Sequence, residues 1–182
     1  MSNKQIESIT LKQELDTDPD LSYLGEYVKQ PDAGVVDRRT GKLWEELSEE
    51  EQEESLDHAR HSRSLEFFKP YAGGEKPWSE HYRTYAMQDF KRMEAYENGN
   101  WCCIGISAVA NVSIELGKDT RKLDTLTSGG LWGIESDAGE EHLEEIRQEQ
   151  LSELHTVLDA YGFSKAQITK AVNTVTLKEC EA

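Results

Sequence analysis

The stretch that decides the fold is WCCIGISAVANVSIE, residues 101–115. Apolar side chains occupy every second position along it, and small or polar side chains occupy most positions between them. The apolar positions are Cys102, Ile104, Ile106, Ala108, Ala110, Val112 and Ile114. An alternation of period two is typical of a strand that buries one face and leaves the other polar. We therefore expect a long β-strand here, with the core built against its apolar face.

The chain then turns back. Residues 116–122 are mostly polar, and residues 123–136, LDTLTSGGLWGIES, return with apolar and β-branched side chains, which predicts a hairpin. The glycines of this return segment lack the lysine and hydroxyl of a phosphate-binding loop. Glu135, Asp137 and Glu140 also bring negative charge to the place of the phosphate. The favoured interpretation is a glycine bulge in an edge strand.

A long amphipathic helix follows. Asp137 and Glu140 have the spacing of a capping box, and Gly162 before Phe163 is typical of a Schellman end. Ser164 opens a second helix in the same way as Asp137 opens the first. The inner stripe of the first helix is Leu143, Ile146, Gln150, Leu151, Leu154, Val157, Leu158 and Tyr161. We expect the two helices to form a hairpin laid on the sheet.

An aromatic helix is predicted between Ser79, as its cap, and a stop at Asn98 and Gly99. Its apolar positions are Tyr82, Tyr85, Ala86, Phe90, Met93 and Tyr96. The predicted fold class is α+β: a small antiparallel sheet of three to four strands packed against the aromatic helix and the C-terminal helical hairpin. We expect one domain over residues 1–182, in which the charged segment 45–78 is mobile.

The net charge of −16 at pH 7 is unevenly distributed. Residues 1–57 carry 16 acidic and 6 basic side chains, residues 58–100 carry 6 and 7, and residues 101–182 carry 14 and 7. Such a field repels nucleic acid and anionic lipid and attracts cationic surfaces. No apolar run reaches the length of a membrane span. We therefore expect no direct nucleic-acid binding and no membrane association.

The three cysteines point to a reducing compartment. Cys102 and Cys103 are adjacent, so they point to opposite faces of a strand, and Cys180 stands alone. An odd number without paired spacing fits neither a disulfide framework nor a zinc site. We predict a cytoplasmic protein that uses no metal and no cofactor.

Four blocks of the sequence share a pattern with a known family. They are YLGEY at 23–27, YAMQDFKRMEAYENGNW at 85–101, IGI at 104–106 and SGGLWGIESD at 128–137. These blocks resemble a family of small proteins found in phages, plasmids and bacteria, over roughly residues 20–30 and 82–163. The resemblance implies a mobile-element setting and brings no reaction with it.

The leading functional hypothesis is a non-enzymatic binding protein whose acidic helices occupy a cationic surface of a partner. Carboxylates on successive helical turns approximate the spacing and sign of backbone phosphates, so the partner could be a nucleic-acid-binding enzyme and the protein an anti-defence inhibitor. The candidate partner-binding residues are Glu45, Glu46, Glu49, Glu50, Glu53, Glu141, Glu144, Glu145 and Glu149.

An alternative hypothesis is a carboxylate-based site. Trp132, Glu135 and Asp137 could form a pocket for a small ligand or a divalent cation, or the active site of an enzyme. In a chain with 36 acidic residues, neighbouring carboxylates are expected by chance. The sequence therefore favours this hypothesis less than the acidic binding protein.

Overall fold

A computed structural model describes residues 4–117 and 120–178. The expectation for Cys180 lies outside the described residues. The chain separates into two compact units. We call Met1–Pro19 together with Trp101–Ala182 the split unit, and Asp20–Asn100 the inserted unit. The single domain over 1–182 and the mobility of segment 45–78 stay predictions.

The described residues form nine strands and four α-helices, with short 3-10 turns at Trp44–Glu46 and Ala72–Gly74. In chain order they are β1 (Lys4–Leu15), β2 (Gly25–Val28), β3 (Val36–Asp37), β4 (Lys42–Leu43), α1 (Glu49–His61), β5 (Phe67–Pro70), α2 (Tyr82–Glu97), β6 (Cys103–Gly117), β7 (Thr120–Thr127), β8 (Leu131–Glu135), α3 (Glu140–Ala160), α4 (Lys165–Val172) and β9 (Thr176–Lys178).

In the split unit, β6 is the central strand of a five-stranded sheet. β1 runs antiparallel along one edge of β6, and β7 and β8 share its other edge, also antiparallel. β9 joins the far side of β1 in parallel, so the sheet is mixed. The α+β class is confirmed, whereas the prediction of a purely antiparallel sheet is wrong. The parallel strand is β9. Its three residues are all exposed and show no alternation from which a strand could be predicted.

The predicted hairpin is confirmed by the pairing of β6 with β7. Its second strand is interrupted at residue 128, where Ala108 N donates to Ser128 Oγ at 2.9 Å. β8 then resumes on the same edge of β6, with an irregular register between Ile104 and Ile106. Gly133, at φ +76°, supplies a backbone conformation that other residues rarely adopt. The interpretation as a bulge in an edge strand fits Gly133, at the irregular register of β8, whereas Gly129 and Gly130 lie in the break between β7 and β8.

Helices α3 and α4 cover the apolar face of this sheet. Phe163 N donates to Leu158 O at 3.1 Å and Gly162 N donates to Asp159 O at 2.8 Å, which is the predicted Schellman end. The capping box predicted at Asp137 is wrong, because α3 has glycine at its N-cap and no side-chain cap. The main core comprises Ile9, Leu11, Ala108, Ala110, Val112, Leu126, Leu151, Leu154, Leu158, Phe163 and Ile168.

The inserted unit has a sheet of its own, with strand order β2-β5-β3-β4 and antiparallel pairing throughout. The structure therefore has two sheets where the sequence predicted one. The aromatic helix α2 packs on β5 and β3 within this unit, with Tyr82, Ala86, Phe90 and Met93 buried. The predicted cap at Ser79 is wrong: His81 occupies the N-cap without a side-chain bond.

The inserted unit separates two strands that are neighbours in the other sheet. Leu15 at the end of β1 pairs with Ile104 at the start of β6, and Asp16 N donates to Cys103 O at 2.9 Å. A short hairpin loop could join two such strands. The chain places 81 residues there instead.

Candidate functional site: two acidic helical faces

Helix α1 is formed by a strongly acidic sequence that has a good start signal. Ser48 N donates to Glu51 Oε2 at 2.8 Å, and Glu51 N donates to Ser48 Oγ at 3.3 Å, which closes a capping box. Three glutamates in the first turn also suit the positive end of the helix dipole. Ser55 is the residue of α1 that is buried. The helix is therefore specified by its cap and its dipole more than by an apolar stripe.

Three of the predicted glutamates form an exposed row on α1. At 3.6 residues per turn, Glu49, Glu50 and Glu53 lie within about 100° of one another and away from Ser55. All three side chains are exposed. In residues 4–117 and 120–178, the structure shows no ion pair for them. We call these three residues the α1 row.

Two other predicted glutamates are occupied within the inserted unit. Glu46 accepts from Arg83 Nε at 2.5 Å and from Arg83 Nη2 at 3.3 Å, and this bond holds the pKa of Glu46 below its usual range. Glu45 Oε2 accepts from Gly34 N at 3.2 Å. Both carboxylates fasten the 3-10 turn to its surroundings. They are therefore poorer candidates for partner binding than the α1 row.

Helix α3 repeats the arrangement in the split unit. Glu141, Glu145 and Glu149 follow one another at intervals of four residues on the exposed side of the helix, which places successive carboxylates about 6 Å apart along the axis. His142 Nδ1 lies 3.9 Å from Glu145 Oε2. In the described part of the chain, no lysine or arginine pairs with these three glutamates. We call them the α3 row.

A buried arginine pairs with two other carboxylates of the same helix, both of which are exposed. The Arg147 side chain is 7% exposed, and its Nη1 donates to Glu140 and, at 3.5 Å, to Glu144. The bond to Glu140 raises the pKa of Arg147. Gln148 Nε2 also donates to Glu144 at 2.7 Å and, as the larger cause, lowers the pKa of Glu144. Glu144 is therefore paired, and because Arg147 bonds to Glu140 and Glu144, it leaves the α3 row uncompensated.

The density of charge along these helices is close to that of a nucleic-acid strand. Helix α1 carries six acidic residues and one arginine in 13 residues, or about one acid per 3.3 Å of axis. Helix α3 carries seven acidic residues and one arginine in 21 residues, or about one acid per 4.5 Å. One strand of DNA carries about one charge per 3.4 Å. Counted over all its acidic residues, each helix is therefore comparable with a strand of DNA. The count includes the carboxylates that pair with Arg39, Lys42 and Arg147, and the unpaired carboxylates of the α3 row are about 6 Å apart.

The residues of the alternative hypothesis lie around the bulge of β8. Trp132 is 51% exposed, and its six-membered ring lies directly over Gly105 of β6, where an added Cβ would be 2.2 Å from the ring. Glu135 is half-buried and pairs in register with Cys103, and Asp137 is exposed in the following turn. The pocket proposed for these three residues stays a prediction.

A tether that the sequence did not predict fixes the glycine segment to α3. Gln150 is buried, and its Oε1 accepts from Ser128 Oγ at 2.7 Å and from Gly130 N at 3.0 Å. The sequence contains a sign of this contact, because Gln150 is the polar residue within the apolar stripe of α3. Buried amides need partners, so an inner glutamine indicates a backbone segment that needs fixing. This tether positions β8 and therefore Trp132.

In the described residues, no group of three or more histidine, cysteine, aspartate or glutamate side chains could hold a metal ion. None of the helices in residues 4–117 and 120–178 is long and apolar enough to cross a membrane. Comparison of the chain with protein-family models, with curated proteins and with solved structures gives no significant match.

Proposed function

We propose that the protein is a non-enzymatic binding protein whose α1 and α3 rows dock onto a cationic surface of a partner protein. The observation that carries the proposal is the lack of compensation along each row. Like charges four residues apart on a helix repel one another. Glu141, Glu145 and Glu149 nevertheless stand in line, while the buried side chain of Arg147 pairs with Glu140 and Glu144 instead. An arrangement that works against the stability of the helix is best explained by a use for the charge.

The finer form of the proposal is nucleic-acid mimicry. A groove that binds nucleic acid is lined with lysine and arginine, and it accepts a line of negative charge irrespective of the group that carries it. The charge density of both helices supports such an exchange. The resemblance to proteins of phages and plasmids supports inhibition of a defence enzyme as its purpose. Attraction over a distance would also speed association at low salt.

The proposal is tested by capture of partners from a nuclease-treated bacterial lysate. The wild-type protein should retain proteins that are released by a short DNA duplex and by salt of about 0.5 M, at which charges are screened within a few ångströms. Triple variants in which glutamine replaces the α1 row or the α3 row should retain less. The matched control is Asp18→Asn/Glu75→Gln/Glu80→Gln, which removes three exposed acids outside both rows.

Two results would refute the proposal. One is capture that the duplex does not displace, because a mimic must compete with nucleic acid for the same groove. The other is equal capture by the wild type and by both triple variants. Loss of capture with the control variant as well would show that total charge, and not the rows, attracts the partner.

A second candidate function is favoured by the position of Trp132. A half-exposed indole held flat on a glycine offers a stacking surface for a planar ligand, with the carboxylates of Glu135 and Asp137 nearby in sequence. A thermal-shift screen with divalent cations and small planar molecules tests this candidate, because a ligand that binds the folded state raises Tm. No shift with any of them would remove it.

A further inference from the structure

We propose that a groove between β1 and α4 in the split unit binds an extended acidic peptide as an added strand. The groove has a volume of about 460 Å³ and is lined by residues 4–8 of β1 and by Gln167, Lys170, Ala171 and Thr174. Its size is that of a ligand-binding cleft. The proposal does not depend on the α1 and α3 rows. It concerns an acidic peptide, whereas the rows are proposed to bind a cationic surface.

One wall of the groove is an open strand edge. β1 pairs with β6 from Lys4 to Leu15, but on its other side β9 covers only Thr10–Lys12. In the part of the chain that the structure describes, no other strand pairs with β1. Apart from the carbonyl of Lys4, which accepts from Gln167, the backbone up to residue 9 is therefore paired with no strand on this side and is open to an incoming strand, as in peptide recognition by strand addition.

The backbone of β1 faces the groove at defined residues. Lys4 O accepts from Gln167 Nε2 at 2.6 Å, so the carbonyl of Lys4 points away from β6 and toward α4. This orientation repeats every two residues in a regular strand, and the register shift of β1 lies after Ile6, between Ile6 and Ser8, so the N–H and C=O of Ile6 point the same way. Ile6 is therefore the first position at which a peptide strand would pair with β1.

The opposite wall leaves room for a strand. Helix α4 approaches β1 through Ile168, which is fully buried, but presents the small side chains of Ala171 and Thr174 to the groove. Their size keeps the space beside Ile6 open. The groove thus joins a free strand edge to a helix wall of low bulk.

The charge of the groove selects the peptide. Lys4 and Lys170 stand on its two walls in a chain whose net charge is −16. Lys4 Nζ donates to Tyr161 O at 2.5 Å, outside this lining, so Lys170 is the lysine that we expect to meet the peptide. The lining contains one carboxylate, Glu7, whose Oε1 accepts from Ser113 Oγ at 2.5 Å and is thereby turned toward β6. A peptide with carboxylates on alternate residues complements this lining.

The direct test uses fluorescence polarisation with a labelled hexapeptide of alternating glutamate and valine. We expect this peptide to bind the full-length protein, and the analogue with alternating lysine and valine not to bind. A third peptide keeps the glutamates but carries N-methyl groups on alternate backbone nitrogens, which removes the donors that a strand needs. Its binding should be lost, and amide exchange at Ile6 should slow only with the first peptide.

A matched pair of variants locates the site. Lys170→Glu reverses a charge inside the groove, and Lys165→Glu makes the same change on an exposed residue of the same helix outside it. We expect Lys170→Glu to weaken binding by about tenfold or more and Lys165→Glu by less than about twofold. Thr174→Trp, which fills the groove from an exposed position, should also abolish binding.

Each contrary result overturns the proposal. Absence of binding shows that the groove takes no strand. Equal effects of the two lysine variants show attraction by overall charge. Undiminished binding of the N-methylated peptide shows that the backbone of β1 is not used. Competition by inorganic phosphate as strong as by the peptide shows an anion site and no strand addition.

Discussion

Replacement of Gly105 by alanine tests the packing that positions Trp132. An added Cβ would lie 2.2, 2.4 and 2.5 Å from three carbons of the indole, so the ring must leave its place. Trp132 is 51% exposed, so about half of its roughly 250 Å² is buried. At about 25 cal/mol per Å², displacing the ring costs about 3 kcal/mol of the free energy of unfolding. We therefore expect Gly105→Ala to destabilise the protein by about this amount.

The double variant Gly105→Ala/Trp132→Ala makes the test specific for the clash between the added Cβ and the indole. Trp132→Ala removes the same buried area and should cost a similar amount, about 3 kcal/mol. If the clash is the reason for the loss in Gly105→Ala, the two losses overlap. The double variant should then be no less stable than Trp132→Ala alone. Urea denaturation followed by circular dichroism measures all three values, and additive losses of about 6 kcal/mol would refute the reasoning.

Three further predictions concern the α3 row, the pKa of Glu51 and the inserted unit. Glu145→Gln/Glu149→Gln should raise Tm at low salt while weakening partner capture, because it removes repulsion within the α3 row. Hydrogen bonds from Lys42 and then from Ser48 lower the pKa of Glu51 from 4.5 to about 2, so these bonds stabilise α1 above about pH 4.5 and are lost as the pH falls through about 2. Acid titration by circular dichroism should show this loss, and Glu51→Gln should lack it. Replacement of residues 20–100 by a short glycine-rich loop should leave the amide spectrum of the split unit folded.

Each of these predictions has a contrary outcome. An increase in Tm that persists at about 1 M salt would show that repulsion between exposed carboxylates is not its cause. Acid unfolding that is identical with glutamine at position 51 would show that the ion pair with Lys42 does not hold α1. Collapse of the amide spectrum without residues 20–100 would show that β1 and β6 need the inserted unit in order to pair.

Local periodicity was enough to predict the elements that have a buried face. The alternation along residues 101–115 predicted β6, and the stripe after Gly139 predicted α3 with its Schellman end, because each pattern reports burial directly. The starts of α2 and α3 were misplaced because each helix begins without a side-chain cap. The second sheet was missed because β2 and β5 have four residues each and show no regular alternation of apolar and polar side chains.

The candidate site could be predicted only in part, for a different reason. Glutamates on a helix look alike in sequence, and what distinguishes them is a partner elsewhere in the chain. Arg83 occupies Glu46 from 37 residues away, a pairing that no local pattern announces. Arg147, three residues from Glu144, could have been paired with it by helical spacing, but its burial could not have been foreseen. The sequence therefore indicated the acidic helices, and the structure distinguishes carboxylates that have a partner from carboxylates that have none among the described residues.

The distinction between paired and unpaired carboxylates determines which substitutions on α3 the fold can accept. Residues of the α3 row have exposed side chains on the side of the helix away from the core, whereas Leu143, Ile146 and Leu154 hold α3 to the sheet. Arg147 pairs with Glu140 and Glu144, so substitution of the glutamates in the α3 row leaves no buried charge unpaired. The fold therefore does not constrain the identity of the α3 row. Substitutions in this row can change the charge of the surface without rebuilding the core on which the helix rests.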